Sequence, residues 1–143
     1  MSFLRILYLI VGLLTLAVIY VFQQFNFLFF LNGFVGSSVS FSGNTIFIFN
    51  KTLRLILNDL ACLLLIYSLF QDKKYLNVAF IVFLLEMFVL LPLYFIMKLT
   101  FEGNTELSSP LLSQIHRLIV NPMLMILLII SFFYQRQKAR NII

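Results

Sequence analysis

The stretch from Pro110 to Tyr134 reads PLLSQIHRLIVNPMLMILLIISFFY. It sets His116, Arg117 and the pair Asn121-Pro122 at the head of an otherwise apolar segment, and Arg136, Lys138 and Arg140 follow at its foot. About 20 apolar residues cross the roughly 30 Å hydrocarbon core of a bilayer. Counting back that length from Tyr134 reaches Ile115, which puts His116 and Arg117 at one interface and the basic foot at the other. Pro122 supplies no backbone donor, so this helix is expected to bend there and to leave the carbonyl near Leu118 for another partner.

The rest of the chain has the same character. Of 143 residues, 62% are hydrophobic and only 10% charged, with 18 Phe, and the mean hydropathy is +1.06. A soluble domain requires a charged surface, so the composition predicts an all-α integral membrane protein in one transmembrane domain, 1–143. The net charge of +5 does not point to nucleic acid. The basic residues fall in short clusters beside apolar runs, where they orient helices, and form no contiguous basic face. Cys62 is the one cysteine and His116 the one histidine. That excludes an intrachain disulfide, a paired-thiol redox site and a multi-ligand zinc centre, and no cofactor is expected.

Four spanning helices are predicted, at about 3–22, 51–70, 75–97 and 113–134, with loops 23–50 and 98–112 between them. The first is long enough to span and lacks a small-residue cleavage site, so it reads as an uncleaved helix. Residues 23–50 carry no charge but are broken by Asn32-Gly33, Gly36-Ser37-Ser38 and Ser42-Gly43-Asn44. This predicts an aromatic interfacial loop, or a small hairpin turning at Gly43-Asn44. Asn50-Lys51-Thr52 matches a glycosylation sequon, a weak motif that is irrelevant in a bacterium. The second and third helices are joined only by the polar residues around Lys73, so they must form an antiparallel hairpin. Arg5, Lys73-Lys74 and the cluster Arg136, Lys138, Arg140 share one side if there are four spans. Positive residues stay in the cytoplasm, so both termini are expected inside and both long loops outside.

With that topology, two polar faces reach one membrane level. Lys51, Arg54 and Asn58 follow i, i+3, i+7 on the second helix, and Gln114, Arg117 and Asn121 do so on the fourth. By helix rise Asn58, Asp59 and Asn121 lie roughly 9 to 12 Å below the outer boundary. The two helices are therefore expected to pack there. One reading makes Arg54, Asn58, Asp59, His116, Arg117 and Asn121 a partner-binding polar cluster, with Asp59 as counter-charge to an arginine. The other has the arginines snorkelling to lipid headgroups while the amides join the helices. Glu86 lies deeper in the third helix and serves either as a hydrogen-bonded packing acid or in a proton or ion path. Cys62 with His116 invites a thiol-enzyme reading, but by helix rise the thiol lies about 16 Å below the Lys51 boundary, out of reach of His116.

The run LRLILNDLACLLLIYSLFQDKKY, the long apolar helix after it, and the closing HRLIVNPMLMILLIISFFYQ together resemble the exosortase F system-associated membrane proteins of flavobacteria. The similarity covers roughly Lys51 to Gln135. It rests on Arg-x-x-x-Asn at Arg54 to Asn58, the charged turn Asp72-Lys73-Lys74 and the Asn-Pro-x-Leu-Met run at Asn121. The resemblance implies a bacterial inner-membrane partner of an exosortase, a multi-spanning cysteine transpeptidase-like enzyme that processes proteins bearing a short C-terminal sorting signal. It implies no catalytic residues for this chain. The resemblance thus implies a non-catalytic accessory in contact with exosortase or its substrate, and the apolar composition adds contact with lipid.

Overall fold

The computed structural model describes residues 3–22, 24–36, 40–101 and 110–141. Among them every regular element is helical. The chain runs through α1 (Phe3–Val21), α2 (Phe27–Val35), α3 (Gly43–Phe70), α4 (Lys73–Leu85), a π turn (Glu86–Leu90), α5 (Leu91–Phe101), α6 (Pro110–Val120) and α7 (Met123–Asn141). Three uninterrupted helical stretches, Phe3–Val21, Gly43–Phe70 and Lys73–Thr100, are long and apolar enough to cross a membrane, and the bent pair α6 and α7 makes a fourth when taken as one span. The protein is an all-α, multi-pass membrane protein. Most of the loop expected to face outward, residues 102–109 with Glu102 and Glu106, lies outside the described residues.

α3 is the axis of the bundle. It touches every other helix, and α1 lies along it most extensively. The two run antiparallel: Ser68 Oγ near the end of α3 donates to the Arg5 carbonyl near the start of α1 at 2.7 Å, and Tyr8 meets Tyr67 edge-on. Gly12 permits this closeness, because a Cβ there would stand 2.8 Å from Leu65 Cδ2 and 3.2 Å from the Ala61 carbonyl oxygen. The expected hairpin of the second and third helices is present. α3 ends at Gln71 in the left-handed conformation (φ 51°), with its N–H returned to the Tyr67 carbonyl, and α4 begins at once with Asp72 accepting from the Lys74 N–H.

Two apolar clusters are stacked along α3. At one end Cys62, Ile66 and Phe70 pack with Ala79, Met125 and Phe132, and Tyr75 lies 4.6 Å, centroid to centroid, from Phe132. At the other, Leu55 packs with Leu91, Tyr94 and Ile119. The start of α1, the α3–α4 turn and the foot of α7 therefore gather at one end of the bundle. Arg5, Lys73, Lys74, Arg136, Lys138 and Arg140 belong to that end, as the charge pattern requires.

Three expected boundaries are corrected. Residues 23–50 are no single loop. Asn26 caps α2 by accepting from the Phe29 N–H, and Ser42 caps α3 by accepting from Thr45. Gly43-Asn44 thus opens a helix instead of turning a hairpin, because a serine ahead of it satisfies an otherwise orphaned N–H. The third helix is prolonged at both ends, from Lys73 to Phe101, and is interrupted by the π turn. The fourth helix runs beyond 113–134 at both ends, from Pro110 to Asn141, and carries the expected bend, 65° between α6 and α7 at Asn121-Pro122. The bend is where proline demands it, and α7 then continues through the basic foot to Asn141.

The π turn has a similar cause. Pro92 lacks an N–H and its ring would clash with the carbonyl four residues back, at Phe88. Widening the preceding turn relieves the clash, and the Leu91 N–H reaches the Glu86 carbonyl five residues back. The inserted residue also resets the face of the helix. At 100° per residue Glu86 and Tyr94 would stand about 80° apart; removing one residue's rotation brings them within about 20°. Glu86, Leu91, Tyr94 and Lys98 are accordingly all buried.

Candidate functional site: a polar layer between two apolar clusters

Between and above the apolar clusters lies a layer of polar side chains. α3 supplies Arg54, Asn58 and Asp59, which are 5%, 3% and 1% exposed; the third span supplies Glu86 and Lys98, which are 2% and 3% exposed. α6 supplies the half-buried His116, and the α6–α7 break supplies the half-buried Asn121. Long-side-chain snorkelling does not describe Arg54 or Lys98, since both are covered by protein.

The layer has three parts. Nearest the end of the bundle away from the basic turn and foot, Lys51, Arg54 and Lys98 stand close enough to His116 to act on the imidazole through space. The His116 Nδ1 and the Tyr94 hydroxyl share a 2.6 Å hydrogen bond whose direction depends on the tautomer. Phe47 stacks obliquely against Tyr94, and Lys51 Nζ lies 5.9 Å from the centroid of the Phe47 ring. The result is a cationic group lined by aromatic faces, assembled from α3, α5 and α6.

Below it, Arg54 and Asn58 meet Asn121 and Pro122 around a cavity of about 280 Å³, closed on the α1 side by Leu16, Ile19 and Tyr20 and by Ile126 of α7. The expected match of the Arg54–Asn58 face with the Asn121 end of the fourth helix is present. Arg117 does not share it. It is exposed on α6 and does not line the cavity.

Deepest, the side chains of Asp59 and Glu86 meet each other. One oxygen of each, Asp59 Oδ2 and Glu86 Oε1, is buried without a hydrogen-bond partner. The group that Asp59 reaches is a second acid contributed by the π turn.

Comparison with family models, with curated proteins and with solved structures gives no match to this chain. Cys62 is buried in the inner apolar cluster beside Ile66, Phe70 and Met125, whereas His116 is engaged with Tyr94 at the outer one. Thiol and imidazole belong to different clusters. Among the described residues no group of three or more His, Cys, Asp or Glu side chains is placed to hold a metal ion.

Tyr94 and Lys98 are the members that sequence reasoning missed. Lys98 reads as the boundary of an apolar run, where lysine is ordinary. Its only signal is the spacing of Leu91, Tyr94 and Lys98 at i, i+3, i+7, which places all three on one helix face.

Proposed function

We propose that this protein is a small, non-catalytic accessory of an exosortase-dependent sorting system in the inner membrane of a bacterium. It docks onto the exosortase or onto the membrane tail of the exosortase's substrate. The family reading rests on the ordered motifs from Arg54 to Gln135. The observation that carries the docking role is the convergence of Arg54, Asn58 and Asn121 on one cavity, at the end of the bundle away from the basic turn and foot. With that basic end in the cytoplasm, the polar layer faces outward, where a sorted protein emerges. Exposed Arg117 at its rim supplies a contact that needs no rearrangement.

The test follows a sorting-signal protein with a C-terminal tag in wild-type cells and in cells lacking only this protein. Retained tag in the deletion strain, reversed by the wild-type gene and by Cys62→Ser, is the expected result. Normal tag removal in the deletion strain overturns the role. Association with exosortase is expected to weaken in Arg117→Glu; if neither Arg117→Glu nor Arg54→Ala alters association or sorting, the docking site is wrongly placed.

A second reading, a component of a proton or ion path, is favoured by the contact of Asp59 with Glu86 inside the spans. Ionisable groups at such depth are costly and are commonly kept for function. This reading requires flux through reconstituted protein that Glu86→Gln abolishes; equal flux in the two proteins removes it.

A further inference from the structure

We infer that the basic foot of α7 is a binding site for the phosphate of an anionic phospholipid, in the leaflet that surrounds this end of the bundle. The site does not depend on the sorting role. Three features define it: the charge gathered at this end, the depth at which the arginines stand, and a pocket that one face of α7 shapes between them.

Charge sets the sign of the ligand. Of the ten lysines and arginines, six lie at this end: Arg5, Lys73, Lys74, Arg136, Lys138 and Arg140. Of the five acids only Asp72 does, and its carboxylate is turned to the start of α4, where it accepts from the Lys74 N–H at 2.9 Å. Packing holds the two basic segments side by side. Tyr75 of α4 lies 4.6 Å from Phe132 of α7, and Phe133 lies 4.9 Å from Phe70 at the end of α3, both centroid to centroid. Leaving the bundle from those rings, the exposed Lys73 and Lys74 and Arg136 all follow within about one helical turn.

Depth and shape select a lipid. Tyr134 closes the apolar run, and by helix rise Arg136 and Arg140 stand about 3 and 9 Å beyond it. A bilayer of about 40–45 Å with a core of about 30 Å leaves a headgroup layer of roughly 5–7 Å on each side, so the two guanidiniums bracket the phosphates. Phe133, Arg136, Gln137 and Arg140 line a pocket of about 310 Å³. Their spacing of i, i+3, i+4, i+7 puts all four on one face of α7, and all four are exposed. A topology signal needs positive residues on one side of the membrane and makes no demand on helix face. The ring on the bilayer side suits the glycerol and the first acyl carbons. Above it the guanidinium forks match phosphate oxygens, and the Gln137 amide adds neutral donors. An anionic lipid, unlike a zwitterionic one, brings no ammonium to oppose the surrounding cations.

The test uses the full chain in a non-ionic detergent, titrated with phosphatidylglycerol, with phosphatidylethanolamine of the same acyl chains, and with inorganic phosphate, and read by native mass spectrometry. Phosphatidylglycerol is expected to bind at least about fivefold more tightly than phosphatidylethanolamine, the effect of one cation at a membrane surface. Arg136→Gln with Arg140→Gln is expected to weaken phosphatidylglycerol binding at least about tenfold, as loss of a charge-assisted hydrogen bond does. Gln135→Arg with Arg136→Gln keeps the net charge and the topology signal but turns one cation about 100° off the face. It is expected to lose affinity as well, while Arg117→Gln, far from the foot, leaves binding unchanged. Equal binding of the two lipids, unaltered binding in the exchanged pair, or an equal loss in Arg117→Gln overturns the site. Inorganic phosphate bound as tightly as the lipid overturns the phospholipid and makes the ligand a free anion.

Discussion

Asn50 opens a triplet that reads as a glycosylation sequon, yet its carboxamide works inside the fold. Its Nδ2 donates to Asn26 Oδ1 at 2.9 Å, and its Oδ1 accepts from the Leu28 N–H at 3.2 Å. Asn26 itself accepts from the Phe29 N–H at the start of α2. Two asparagines thus satisfy N–H groups that a helix start leaves open and tie a short helix to a long one. Asn50→Ala is expected to destabilise this junction by about 1 kcal/mol, seen as faster hydrogen exchange at the Leu28 amide; unchanged exchange there would show the clasp to be unimportant. Tyr94→Phe tests the outer layer in the same way. Removing the hydroxyl leaves His116 Nδ1 without that partner, at an expected cost of about 1–3 kcal/mol in a denaturation midpoint. A midpoint at or above that of the wild type would mean that the pair is dispensable. Arg54, Asn58 and Asn121 were legible as one group because i, i+3, i+7 spacing and matched depth depend only on helix geometry. The contact between Asp59 and Glu86 was not, since it depends on how the third span rotates.

That rotation is a property of elements. Spacing alone assigns a straight helix from Tyr75 to Met97, and nothing in a hydropathy pattern distinguishes a π turn from an α turn. Pro92 was visible, but its effect on the turn before it was not. If the π turn exists to keep Glu86, Tyr94 and Lys98 on one face, a chain lacking the exposed Phe88 and carrying Pro92→Ala is expected to fold with that face intact. A chain lacking the exposed Phe80 instead rotates everything after it by about 100° and is expected to lose the folded state, as judged by size-exclusion profile. Equal behaviour of the two deletions would contradict this account. The α1–α3 contact makes a separate demand. Gly12→Ala places a methyl 2.8 Å from Leu65 Cδ2, and overpacking of this kind costs about 1–3 kcal/mol. Leu65→Ala in the same chain is expected to recover part of that loss, a coupling readable from a double-mutant cycle; strictly additive losses would argue that the helices do not meet there.

For the whole molecule, composition alone was enough to identify a helical membrane protein, because 62% apolar residues leave too little polar surface for water. The number and shape of the spans were harder to read. Ser42 and Asn26 act as caps only when the following residues turn helical, and cap residues look the same in a loop. The arrangement of ends is open to direct test. Cys62 is fully buried, so cysteines introduced singly at Gln24, Lys74 and Lys138 report without a background signal. Lys74→Cys and Lys138→Cys are expected to resist an impermeant thiol reagent in intact cells, whereas Gln24→Cys reacts. Opposite behaviour of the first two would break the four-span arrangement.

The contact of Asp59 with Glu86 also has a consequence for biosynthesis. The chain is made from its N-terminus, and Asp59 leaves the ribosome 27 residues ahead of Glu86 (86 minus 59). At about 5–20 residues per second, the α3 acid waits roughly one to five seconds before its partner exists. During that interval α3 has α1 against one side and no protein against the other. The nascent segment must stay within the insertion machinery, or at the aqueous edge of the bilayer, until α4 and the π turn follow. A ribosome stalled between the two acids is thus expected to leave α3 extractable by alkaline carbonate, and one stalled after Lys98 to leave it membrane-integrated.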